Sequence, residues 1–302
     1  MSGYPSRLLH IQSLDKGALF VRLVDVDPLL STYRWATLSH RWGTTGSPLC
    51  TTRRTIDQFK RSIPVSELPR TFADAIAITL AVGLDFIWID SLCIVQDSTT
   101  DWEQESSMMG KIYESSDLTI AACSSMDSMG GCHLMLQQQP SMSIGSIVLD
   151  ESEHCDLLSC PGMVRSKVAN PFDVKVSPLS ERGWVFQEVV LSRRILYCTR
   201  DQMYWQCRTI AESEDGTVRT RGQRNTTGRG GVLEPNAIPA TNFPGLWWSW
   251  AVDYSGRDFT KHADRLYACA GISQFFSRLA GSNELVLGLM RQHLQLHLLW
   301  QL

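Results

Sequence analysis

Apolar runs and amphipathic stretches alternate through the first 122 residues of the chain. Residues 34–39 read as a short buried strand. Phe72, Ala75, Ile76 and Leu80 then recur at helical spacing, which predicts a helix over 71–82. Pro69 marks its approach, Thr71 with Asp74 three residues on resembles a capping box, and Gly83 ends it. Phe86-Ile87-Trp88-Ile89 is a continuous apolar run between Asp85 and Asp90, the pattern of a central strand covered on both faces. Asp101 is expected to cap a helix over about 102–113, with Trp102, Met109, Ile112 and Tyr113 turned inward. Leu118-Thr119-Ile120-Ala121-Ala122 reads as the next strand. The alternation predicts an α/β fold with a mainly parallel sheet, in which strands 35–39, 86–90 and 118–122 are neighbours and helix 71–82 packs on them.

Beyond residue 122 the pattern changes. Residues 124–178 are rich in Ser, Met, Gln and Pro and read as an excursion from the sheet, with one strand at 144–149. Regularity returns with a helix near 180–191, then Arg194–Cys198 and Met203–Cys207 as paired strands. Residues 211–242 hold the densest Gly, Thr, Arg and Asn content and read as a flexible linker or loop. The apolar spacing at Leu285, Leu289, Leu296 and Leu299 predicts a helical region over about 243–300, packed on an α/β domain of residues 1–210. No cap or tail follows Leu302, so a fragment or a shortened protein is expected.

A composition of 43% hydrophobic and 20% charged residues is that of an ordinary soluble globular protein. The net charge of -3 gives no overall pull toward nucleic acid or acidic membranes. Arg219-Thr220-Arg221-Gly222-Gln223-Arg224 is a local basic stretch, expected to be a solvated loop. With no apolar leader and no run of about 18 apolar residues, neither secretion nor a membrane span is expected. Nine scattered cysteines then read as free thiols in a reducing compartment, and the location as cytoplasmic. Most of the ten tryptophans sit in apolar runs and are expected in the core.

The chemistry centres on two carboxylates. Asp90 follows a buried run, so it belongs at the carboxyl end of a parallel strand, where ligand sites of open α/β sheets gather. It can bind a ribose hydroxyl or orient a base; alternatively it accepts the Leu92 and Cys93 N–H groups in a turn. Ser91 and Cys93 on that turn are candidate ligand-binding residues. Glu188 stands among aromatic residues, which raises a carboxyl pKa and suits it to acid, base or electrostatic work; alternatively it pairs with Arg182, Arg193 or Arg194. Ser39, His40, Arg41, Trp42 and Gly43 form the loop after the first strand, able to offer backbone N–H groups and Arg41 to a phosphate, or to be a structural turn plugged by Trp42. No metal site is expected. Cys155 with Cys160, Cys198 with Cys207, and Cys132-His133 lack paired ligand spacing, and His293 with His297 lack the Glu of a metalloprotease helix. A Walker A loop, a Rossmann glycine fingerprint and a Gly-x-Ser-x-Gly elbow are all missing.

Five blocks, in order, resemble the heterokaryon-incompatibility (HET) domain of filamentous fungi: Trp35 to Gly43, Leu68 to Ile76, Ile87 to Asp97, Asp101-Trp102 through Tyr113, and Arg182 to Glu188. The resemblance covers roughly residues 33–208 and trails more weakly through Asp253-Tyr254-Ser255 and Asp264-Arg265-Leu266 to Trp300. It implies an effector or signalling module of non-self recognition and programmed cell death, partnered by its own copies or by other cell-death or NLR-type proteins. Trp35 to Trp42 and Trp184 to Glu188 are also similar to the first-strand and tryptophan-to-glutamate motifs of TIR domains. That likeness implies a TIR-like, flavodoxin-like core and cleavage of NAD between nicotinamide and ribose, with the carried-over catalytic role on Glu188 alone; Asp90 stands beside it as a catalytic candidate through its strand-end position. NAD would be the substrate and no cofactor is implied. Gln187, Val189 and Val190 depart from the TIR pattern, as does the long excursion. The other function the resemblance allows is a non-enzymatic adaptor acting by self-association or docking.

Overall fold

The three apolar runs lie side by side. In the computed structural model, β3 (Trp35–Ser39) pairs in parallel with β5 (Phe86–Trp88) on one side and with β6 (Leu118–Ala122) on the other. The structure describes residues 4–13, 19–27, 29, 33–43, 49–132, 177–207, 209–216 and 243–279, with short segments at 142–144, 162–164, 219–221, 285–286 and 289–290. Its elements in chain order begin with β1 (Arg7–Ser13), β2 (Leu19–Asp25), β3, α1 (Ile56–Arg61) and β4 (Ile63–Pro64). They continue with α2 (Arg70–Ala81), β5, α3 (Asp90–Cys93), α4 (Thr99–Ser115), β6, β7 (Met142–Ile144) and β8 (Gly162–Val164). Next come α5 (Gly183–Leu191), β9 (Arg194–Cys198), β10 (Met203–Cys207), β11 (Ile210–Ser213) and β12 (Arg219–Arg221). The last are α6 (Phe243–Ser255), α7 (Asp264–Leu279), β13 (Leu285–Val286) and β14 (Leu289–Met290).

The fold is α/β, but its sheet is mixed rather than mainly parallel. Ten strands run in the order β12-β11-β10-β9-β6-β3-β5-β1-β2-β4. Only the β3–β5, β3–β6 and β6–β9 pairings are parallel; the other six are antiparallel. Connection length accounts for the antiparallel strands that follow one another directly in the chain. Parallel neighbours need a helical crossover, whereas strands joined by a few residues fold straight back, as β9, β10 and β11 do. Only the middle of the sheet, bounded by α2, α4 and α5, has the crossovers. The stretch 211–221, expected as linker or solvated loop, therefore begins as sheet, with Arg219 facing Glu212 across β12 and β11 at 3.8 Å.

Several local expectations are corrected. The strand expected over 86–90 ends at Trp88, and Asp90 already opens α3. Thr71 and Asp74 make no capping box: Thr71 Oγ1 accepts the Gly131 N–H at 3.0 Å and Asp74 accepts that of Cys132 at 2.7 Å, so both hold the loop after β6. The cap of α4 is Ser98, whose hydroxyl accepts the Asp101 N–H, while the Asp101 carboxylate serves Val95 N–H and Arg7. Leu285 and Leu289 lie in a small antiparallel pair, not a helix; Gly288 between them weakens helix there. Of the strand expected at 144–149, Ile144 falls in β7, which pairs with β8; 145–149, Leu296 and Leu299 lie outside the described residues.

The main core surrounds Trp88, fully buried with its ring edge-on to Tyr113 of α4 at 5.8 Å. A second cluster joins Phe186, Val190 and Leu191 of α5 to Leu246, Trp247 and Trp250 of α6 and Ile272, Phe275 and Phe276 of α7. Seven cysteines among the described residues are unpaired thiols. No helix among those residues is long and apolar enough to cross a membrane.

Candidate functional site at the ends of the parallel strands

Parallel pairing carries the carboxyl ends of β3 and β5 to one edge of the sheet, so Ser39-His40 and Asp90 meet there. Side chains alternate along a strand. Thr37 shares a register row with Trp88 and Thr119, and this row faces α4 and α5: its hydroxyls lead from Thr37 to Thr119 at 2.8 Å and on to Ser192 at 2.5 Å. Ser39, two residues further, shares that face. Helix α5 buries most of its length, so Glu188 has no water to turn to and is only 4% exposed. Burial pushes its carboxyl up to about 7, against the pull of Arg182 and of the Ser39 and Tyr113 hydroxyls; Asp90 adds to the rise. Those two hydroxyls lie close to the carboxyl, but the well-formed bond of Tyr113 runs to the Leu38 carbonyl, and Ser39 Oγ has no partner of good geometry.

His40 is equally buried and stacks edge-on against Phe72 of α2. Burial drives its imidazole down to about 4, with Asp90 opposing and Arg182 assisting, so the ring is neutral at pH 7. Its Nδ1 stands 3.9 Å from Asp90 Oδ1, beyond hydrogen-bond reach, and neither ring nitrogen has a partner. Asp90 accepts the Trp42 indole N–H at 2.9 Å and its neighbour Ser91 N–H at 2.7 Å. The Leu92 and Cys93 N–H groups go instead to the Ile89 carbonyl, so the turn reading of Asp90 fails in its detail. Arg182 donates to the His40 carbonyl.

Ser39, His40, Trp42, Asp90 and Glu188 thus share one neighbourhood. Arg41 leaves it, donating to the Pro178 carbonyl at 2.6 Å and to Glu181 at 3.0 Å. Gly43 sits at φ 91°, where a Cβ would stand 2.6 Å from that of Asp127; glycine fits for both reasons. Ser91 is fully buried with its Oγ unpartnered. Cys93 is core: burial pushes its thiol up to about 12, and its carbonyl accepts from Arg7. Arg194 turns to Asp117 rather than Glu188. Two residues of the cluster carried no functional reading in the sequence beyond an ion-pair candidate and an inward helix position, namely Arg182 and Tyr113. Both end or begin motif blocks of polar and aromatic residues, but their reach into the cluster spans long sequence separations. No group of three or more potential metal ligands occurs among the described residues; Cys155, Cys160, His133, His293 and His297 lie outside them.

A buried carboxyl that titrates near neutrality beside a guanidinium, with a second carboxylate at the rim, can exchange a proton or face a developing cation. A family model described as heterokaryon incompatibility protein (HET) matches residues 35–188, more than half the chain. The chain belongs to that family, which associates it with heterokaryon incompatibility. The match runs from the first residue of β3 to Glu188 itself. No curated protein and no solved structure matches the chain.

Proposed function

We propose that this chain is a cell-death effector of the heterokaryon-incompatibility response that hydrolyses NAD at the carboxyl ends of β3 and β5. The observation that carries the reading is the convergence of Glu188 and Asp90 at that edge, with Asp90 close enough to raise the Glu188 carboxyl. In chain order β3, β5, β6 and β9 are first to fourth, and across the sheet they stand second, first, third, fourth. That is the order of flavodoxin-like sheets, whose ligands sit where the order reverses, here between β3 and β6 and so beside Ser39 and His40; it supports the TIR-like expectation for the core. Ionised Glu188 would face the positive charge that builds on the ribose as neutral nicotinamide departs with the bonding electrons. Water then adds to the ribosyl carbon, giving ADP-ribose and a proton, with Asp90 placed to orient the ribose or the water. Ser39, His40 and Ser91 would line the ligand.

Purified protein at high concentration should consume NAD, and Glu188→Gln should slow it by about 10²–10³ while the fold persists. Equal rates for the two proteins would overturn the proposal. The second reading, a non-enzymatic adaptor that recruits its own copies or an NLR-type protein, is favoured by one observation: Glu188 is closed off and Trp42 lies on Asp90. Full-strength cell death with stably folded Glu188→Gln would select it.

A further inference from the structure

The strand-end cluster is polar, yet it is nearly shut: Ser39, His40 and Glu188 are buried, and Asp90 at the rim keeps only 17% of its side chain exposed. The segment His40–Gly43 is tied down from separate stretches of chain. The Trp42 indole donates to Asp90 at the start of α3. Arg41 reaches the turn before α5 at Pro178 and Glu181, and Arg182 donates to the His40 carbonyl. Gly43 is pressed against Asp127 in the loop after β6. At and behind this segment, both His40 ring nitrogens and Ser91 Oγ are buried without hydrogen-bond partners, and Ser39 Oγ has none of good geometry. Buried polar atoms are normally satisfied, and a concentration of exceptions marks a place that is completed by something else. Hydroxyl groups of a ligand both donate and accept, which matches serine hydroxyls and a neutral imidazole. The outermost tether is weak, because Glu181 is 60% exposed and its pair with Arg41 is screened by water.

We infer that His40–Gly43 is an autoinhibitory latch, the Trp42 indole holding the Asp90 carboxylate that a ribose hydroxyl takes when the segment lifts. The ligand class rests on the enzymatic reading above; the latch itself rests on the tethers. Lifting the segment frees Asp90 first, and Glu188 becomes reachable only then.

The test uses the full chain, with Trp42→Phe, which keeps an aromatic ring but loses the N–H, and Glu181→Gln, which loosens the outer tether far from the carboxylates. Carbodiimide labelling of Asp90, read by mass spectrometry, and calorimetric binding of ADP-ribose are measured beside NAD turnover. If the open form is a minor population, both variants label Asp90 faster and bind ADP-ribose roughly tenfold more tightly, since apparent affinity scales with the competent fraction. Should Trp42→Phe fail to fold, Glu181→Gln carries the same expectation alone. Unchanged labelling and binding in folded variants overturn the latch; faster labelling without ADP-ribose binding in any variant overturns the ribose hydroxyl as the group that takes the place of Trp42. Tighter binding with no NAD cleavage by any protein leaves the latch standing and removes the enzymatic reading. NAD cleavage at one rate by all three proteins, with unchanged binding, does the reverse.

Discussion

Glu188 and His40 share a cluster and oppose each other in their response to pH. The folded state raises Glu188 from 4.5 to about 7, so it binds a proton that the unfolded chain has already released. Stability therefore falls as pH rises from about 4.5 to about 7 and is level above that. His40 is lowered from 6.5 to about 4, so the folded state declines a proton that the unfolded chain takes, and stability rises over about 4 to 6.5. Each effect is roughly 3 kcal/mol, and in the parent they nearly cancel. Glu188→Gln should leave the His40 part alone, so urea midpoints of that variant should climb between pH 4 and 6.5 more steeply than those of the parent. Parallel profiles would place Glu188 in a more watery setting. The residue-level reading of Glu188 was possible because a carboxylate inside Trp184-Val185-Phe186 has no polar side to occupy. The direction of Arg41 was not legible, since its partners lie more than 130 residues away in the 178–181 turn.

Among elements, β5 is the test of the core. Trp88→Ala removes a side chain buried on every side and should cost about 3–5 kcal/mol, read as a fall in the urea midpoint. A midpoint close to that of the parent would make the strand peripheral. Gly183→Ala should also destabilise, because a Cβ there overlaps the Phe259 ring and the Gly183 N–H is bound to the Asp258 carbonyl at 2.8 Å. Restoration by Gly183→Ala combined with Phe259→Leu would locate the damage in that overlap. The parallel strands were legible because burial on both faces writes a continuous apolar run. Strands β1 and β2 were not, since His10 and Arg22 interrupt their apolar positions and β1 finds β5 across some 75 residues. The caps were misread for a related reason: Thr71 and Asp74 have helix-capping chemistry but spend it on a loop about 60 residues away.

At the scale of the molecule, α5 is shared property. It is wedged against α4 and α7, and Gly110 and Gly271 let α4 and α7 approach closely around Gln187. Arg278 of α7 holds Glu114 of α4 at 2.6 Å. Helices α6 and α7 should therefore melt with the sheet, in one calorimetric transition that Trp250→Ala shifts as a whole. A separate early transition in that variant would make α6 and α7 an independent unit. Helix was expected over about 243–300 from the spacing of Leu285 and Leu289, which instead form a strand pair; the helices lie at 243–255 and 264–279. Their seat on α5 was not legible, because a face that buries against another segment looks, in sequence, like any other amphipathic face.

The way the sheet ends has its own consequence. Its last described strands are β4, two residues long and carrying Pro64 without an N–H, and β12, three residues long. Long flat margins recruit strands from neighbouring chains; stubby or proline-bearing ones do not. These two margins give a second chain little to template on, even when the protein is crowded. Contacts between copies that avoid these two margins would run through helices and loops, and such contacts dissolve and re-form more readily than a fibre does.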